Sequence, residues 1–106
     1  MTTTPSISDA LSKLWTRFLP EIENRLALLQ VAADALASGS LGTGQREAAH
    51  AAAHKLAGTL GTFGLPQGTD LARQAELLLA GDVPDSAAPQ LLSWVAELQS
   101  VIRSRT

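Results

Sequence analysis

Leu11, Trp15, Phe18, Ile22, Leu26, Leu29, Ala33 and Leu36 recur at steps of three and four without losing phase. That spacing puts them on one stripe of an α-helix, whereas the faces of a strand repeat every second residue. A stripe this long is stable only if other helices cover it. The rest of the chain is suited to supplying them. Ala and Leu make up about a third of the residues, Tyr is absent and there are only two Phe. Ala and Leu lose little freedom in a helix, while strands favour β-branched and aromatic residues. No alternating apolar run is long enough for a strand, so the fold expected is all-α.

Ser6, with Asp9 three residues later, has the form of a capping box at the start of the first helix. Pro20 interrupts the stripe. Either one long helix kinks there, or a short helix ends near Phe18 and another begins at Pro20. An interior proline costs about 3 kcal/mol and a first-turn proline almost nothing. The unbroken phase favours a kinked, near-continuous helix. Gly39 to Gly44 forms a turn, and a second helix runs from about Gln45 to Phe63 with Ala49, Ala52, Ala53, Leu56, Leu60 and Phe63 buried. Gly64 to Gly68 breaks it, with Pro66 in the first turn of a third helix that carries Leu71, Ala75, Leu78 and Leu79 and stops at Gly81. Asp82 to Asp85 is a linker, and Ser86 is placed to cap the last helix. Its core face is Leu91, Trp94 or Val95, Leu98, Val101 and Ile102. Short connections between amphipathic helices imply antiparallel neighbours, hence an up-and-down four-helix bundle.

Residues 1–106 are read as a single domain with a flexible stretch at 1–5, since two domains of half this length would bury too little surface. Without Cys there is neither a disulfide nor a thiolate metal site. A net charge of −2 with no cluster of Lys and Arg argues against nucleic acid. No apolar run approaches the roughly 20 residues of a membrane span, and the first residues lack the charged and apolar regions of a signal peptide. The expected location is cytoplasmic.

The second helix carries both histidines, His50 and His54, one turn apart on nearly the same face. Along that face from His54 lie Ala57, Gly58 and Gly61, with Ala51 behind. Each interior glycine costs roughly 1 kcal/mol relative to alanine. Two explanations are open: close packing of a neighbouring helix, or clearance for a partner approaching His54. An imidazole with an open nitrogen is nucleophilic and can carry a transferred group. A metal site is the first alternative, because His50 and His54, or Glu47 with His50, have ligand spacing. The chain has no further His, and its other acids fall outside the buried stripes, so no metal is expected. No local spacing suggests a Ser/His/Asp arrangement, and the Gly39–Gly44 turn lacks the Lys-Ser/Thr ending of a nucleotide loop. Trp15 and Trp94 lie on apolar stripes and are read as core or interface.

The run Ala53-His54-Lys55-Leu56-Ala57-Gly58-Thr59-Leu60-Gly61-Thr62-Phe63-Gly64, followed by Leu71-Ala72-Arg73-Gln74-Ala75-Glu76, resembles the histidine phosphotransfer (HPt) domain family. That family's pattern has an apolar residue two after the histidine, glycines four and ten after it, and an acid some 22 after it. Leu56, Gly58, Gly64 and Glu76 fill those places. The resemblance extends in outline over nearly the whole chain. It implies a helical bundle and a phosphocarrier in a two-component phosphorelay, not an enzyme with turnover of its own. His54 would accept a phosphoryl group from a receiver aspartate or a histidine kinase and pass it to a receiver domain. Gly58, Gly61 and Ala57, with Arg73 and Gln74 from the next helix, would face the partner. No cofactor is implied, since Mg²⁺ belongs to the receiver.

Two places depart from the family pattern. Ala57 stands where many members carry a lysine, and Gly68 where a larger apolar residue is frequent. Lys55 is the nearest cation in sequence, about 100° around the helix from His54, and its flexible stem is expected to support the phosphoryl group. His50, one turn away, is either a second supporting group or a solvated histidine. The alternative function is a phosphorylation-independent interaction module that kept the shape and lost the transfer. The identity of the kinase or regulator, the direction of transfer and the oligomeric state are not encoded in these motifs.

Overall fold

A computed structural model of the chain describes residues 6–106; the flexible stretch expected at residues 1–5 lies outside them. The described residues form α1 (Ile7–Ala37), α2 (Thr43–Thr62), α3 (Pro66–Leu78) and α4 (Ala88–Arg105), with a 3₁₀ turn at Asp85–Ala87 and no strand. Each helix packs on its neighbours in sequence, and α4 returns to α1, closing an up-and-down four-helix bundle.

α1 begins where Ser6 accepts a hydrogen bond from the Asp9 N–H at 3.1 Å. It continues through Pro20 as one helix. Pro20 is solvent-exposed, so water can satisfy the backbone carbonyl that its missing N–H leaves free. On the opposite side Trp15 and Ile22 are buried, and that burial holds the two halves in register. Phe18, expected in the core, is 41% exposed. It meets Phe63 edge-on at 6.2 Å, outside the Trp15–Phe63 pair at 5.2 Å.

Two turns require glycine. Gly39 and Gly64 both have φ of +70°, the left-handed region that ends a helix. At the first, Ser40 N–H donates to the Ala35 carbonyl; at the second, Leu65 N–H donates to the Leu60 carbonyl. α2 begins two residues before the expected Gln45, and Gln45 instead reaches back to accept the Gly42 N–H at 3.1 Å. Its expected apolar stripe is buried throughout. Arg46 donates to the Leu79 carbonyl at 2.7 Å, tying α2 to the end of α3.

Ser86 does not cap the last helix. It lies inside the 3₁₀ turn, and α4 starts from Ala87 with no side-chain cap. The Ala88 N–H, the donor a Ser86 cap would have served, instead donates to the Asp85 carbonyl within the turn. On α4, Val95 is buried and Trp94 only half-buried. At the far end Trp15 Nε1 donates to the Thr106 hydroxyl at 3.0 Å, and Arg105 lies over the Trp15 ring.

Candidate functional site

The short link Phe63–Leu65 turns the chain back so that α3 runs antiparallel along α2. Two side chains set how closely they approach. Thr69, buried, donates its hydroxyl to the Ala57 carbonyl at 3.1 Å. A Cβ on Gly61 would stand 3.3 Å from that same hydroxyl oxygen. Gly61 therefore has a packing role, whereas a Cβ on Gly58 would meet nothing within 4 Å. Packing thus accounts for Gly61 but not for Gly58, where a Cβ would stand in open space. Gly68 is explained by volume. A Cβ there would lie 2.9 Å from Leu60 Cδ1 and 3.3 Å from Val101 Cγ1, so those side chains fill the space a larger residue would take.

This approach brings Glu76 of α3 to His54 of α2. Nδ1 of His54 lies 2.6 Å from Glu76 Oε2. A carboxylate only accepts, so Nδ1 carries the hydrogen and donates it. The lone pair of the neutral ring is then at Nε2, the outer edge of a side chain that is 72% exposed. Glu76 is more covered, at 23%, which limits its freedom to swing away.

Lys55 and Arg73 are both exposed, and neither has an ion-pair partner among the described residues. Lys55 lies on the α1 side of His54, the side where Thr59 accepts a hydrogen bond from Arg25 at 3.2 Å. Arg73 lies on the α3 side. His50 is half-buried one turn from His54 and makes no hydrogen bond among the described residues.

Two residues expected on the partner face are placed elsewhere. Ala57 is 5% exposed, because the turn that presents Gly58 outward turns Ala57 under Thr69. Gln74 is exposed but two residues before Glu76, about 200° around α3 and so directed away from His54.

The Hpt domain family model matches residues 13–103. The chain belongs to the Hpt domain family. It is also 38% identical over 99 residues to Protein RcaC of Microchaete diplosiphon, a match covering 91% of this chain and 15% of that protein. The chain thus spans less than a sixth of the length of that relative. No solved structure matches. Family membership associates the chain with histidine phosphotransfer in two-component phosphorelays, where Hpt domains act as phosphocarriers and interact with receiver domains and kinases.

The His54 side chain lies on an open surface. Two grooves, of ≈ 510 and ≈ 410 Å³, lie beside α4, one against Leu65 and Pro66 and the other against Leu26 and Val31. His54 lines neither, and its side chain is largely open to solvent. Among the described residues no three His, Asp or Glu are grouped to hold a metal ion, and Glu47 pairs with Arg46. No described helix is long and apolar enough to cross a membrane. Glu76 is the residue to which the sequence assigned a place but no role. Its 22-residue offset from His54 matched the family pattern, but its part in orienting the ring depends on how α3 lies against α2.

Proposed function

We propose that His54 is the phosphorylated residue and that this Hpt domain carries a phosphoryl group between signalling partners. The observation that carries the reading is the Nδ1–Glu76 bond on a ring whose other edge is open. In the proposed step, the Nε2 lone pair attacks the phosphorus of an aspartyl phosphate. The P–O bond to the aspartate breaks, and its electron pair remains on the released carboxylate. Nδ1 keeps its hydrogen throughout, so the ring becomes cationic, and Glu76 offsets that charge through a charge-assisted hydrogen bond. Passing the group to a second receiver reverses these bonds.

Gly58 supplies the clearance for the receiver, and Gly61 extends the bare surface while serving the Thr69 contact. Mg²⁺ and the catalytic acids belong to the receiver, and the reading places the exchange in the cytoplasm. The test is transfer from the phosphorylated chain to an isolated receiver domain with Mg²⁺. Label is expected to move to the receiver and to slow at least about tenfold with Gly58→Leu. That variant should melt no lower than wild type, because leucine is roughly 1 kcal/mol better than glycine in a helix and has room here. Binding of a receiver without any transfer would favour the interaction-module alternative and sink the carrier reading.

Lys55 supports the phosphoryl group from the α1 side. Lys55→Ala is expected to shorten the lifetime of the phosphohistidine by about two- to fourfold, as befits a flexible, solvated cation. Unchanged phosphorylation rate and lifetime would remove Lys55 from the site.

A further inference from the structure

We propose that Arg73 holds the phosphoryl oxygens on His54 from the α3 side. The inference rests on the reading of His54 as the carrier and adds the group that neutralises its cargo. A phosphoryl group on Nε2 brings nearly two negative charges to a ring already bonded to the Glu76 carboxylate. Two like-charged groups on one imidazole repel each other, so the loaded state needs a cation on the phosphoryl side.

The two contacts between α2 and α3 locate Arg73. Thr69 sits over Ala57 and Glu76 over His54. Arg73 follows Thr69 by four residues and precedes Glu76 by three, so it projects from the same rim of α3, between those contacts. Helical side chains lean toward the N-terminus of their own helix. In an antiparallel pair that direction carries the Arg73 guanidinium toward Gly58, where no side chain obstructs it. The Glu76 bond at Nδ1 turns Nε2 outward, away from Glu76. Arg73 is also uncommitted: it is exposed and has neither a hydrogen bond nor an ion pair among the described residues. Its planar fork matches two phosphoryl oxygens at once, which an ammonium cannot do.

The consequence is a longer-lived phosphohistidine. In hydrolysis the Nε2–P bond breaks and its electron pair returns to nitrogen. Water oxygen joins phosphorus, and the group leaves as dihydrogen phosphate with both water protons. The transition state for such transfers is loose and metaphosphate-like, so the phosphoryl oxygens together carry closer to one negative charge there than the nearly two they hold on the ring. A cation on those oxygens therefore stabilises the loaded state more than the transition state.

The experiment uses the chain loaded by phosphoramidate, freed of donor, and followed by intact mass at neutral pH with no receiver present. Wild type, Arg73→Gln and Arg73→Lys are compared, with thermal unfolding measured on each. The Gln variant is expected to lose the group roughly three- to tenfold faster at unchanged melting temperature, as the loss of a charge-assisted contact predicts. The Lys variant should recover part of the lifetime. Equal lifetimes for wild type and Gln overturn the proposal, as does a faster loss that Lys fails to restore at all. A wild-type chain that takes no acid-labile group instead overturns the underlying carrier reading, and Arg73 with it. Because no partner is present, a role of Arg73 confined to docking would leave the lifetimes equal.

Discussion

His54→Gln is expected to abolish acid-labile phosphoryl addition, and His50→Gln to leave one addition per chain. Intact mass after incubation with phosphoramidate checks both. Glutamine keeps the polarity and much of the reach of histidine, so the fold and an N–H toward Glu76 are within its capacity. What it lacks is a nucleophilic nitrogen, because its amide lone pair is delocalised into the carbonyl. The loss is therefore expected to be complete. His50 is half-buried and, among the described residues, has no carboxylate to hold one ring nitrogen and present the other. Addition that survives in the His54 variant and disappears in the His50 variant would move the site one turn and leave Glu76 without a role.

Leu60→Ala is the substitution expected to cost the fold most. Leu60 is fully buried, and its Cδ1 occupies the space over Gly68 of α3 beside Val101 of α4. Truncation removes three carbons where three helices meet and leaves a cavity, a change worth about 2–5 kcal/mol. Against a total stability on the order of 5–15 kcal/mol, that lowers the melting temperature by roughly 10–25 °C for a chain of this size. The same geometry predicts coupling. The Cβ of Gly68→Ala would clash with Leu60 in the wild type, but in the Leu60→Ala background it enters vacated space. The double variant should therefore melt higher than the Leu60→Ala single variant, and the non-additivity reports the contact. A double variant no better than the sum of its parts would mean that Gly68 is not small on account of Leu60.

The bundle was legible because burial on a helix repeats at a period visible in one dimension. Ile22, Leu29, Leu56, Leu60, Leu91 and Leu98 lie where that period put them, and all are fully buried. Phe18 follows the same period and is exposed, since periodicity gives the direction of a side chain and not whether another helix reaches that far along it. The Ser86 cap was misread for a related reason. A serine before a helical stretch signals a cap only if the helix starts next to it, and here a 3₁₀ turn intervenes.

The local content of the site was legible too. His54, its exposed neighbour Lys55 and the bare position Gly58 share one helix, where about 100° per residue fixes their relative directions. No such rule connects α2 to α3. Whether Gly61 was small for a partner or for a neighbour was decided by Thr69, and the burial of Ala57 by the same contact. Most consequential is the 2.6 Å bond from His54 to Glu76. Sequence determined the helices, their apolar faces and the histidine proposed as nucleophile, because these depend on the order of residues within one helix. Tertiary structure alone decided which nitrogen of that nucleophile is held and which is open. That choice depends on the distance and rotation between two helices, which the packing of Leu60 against Gly68 and of Thr69 against Gly61 sets in three dimensions.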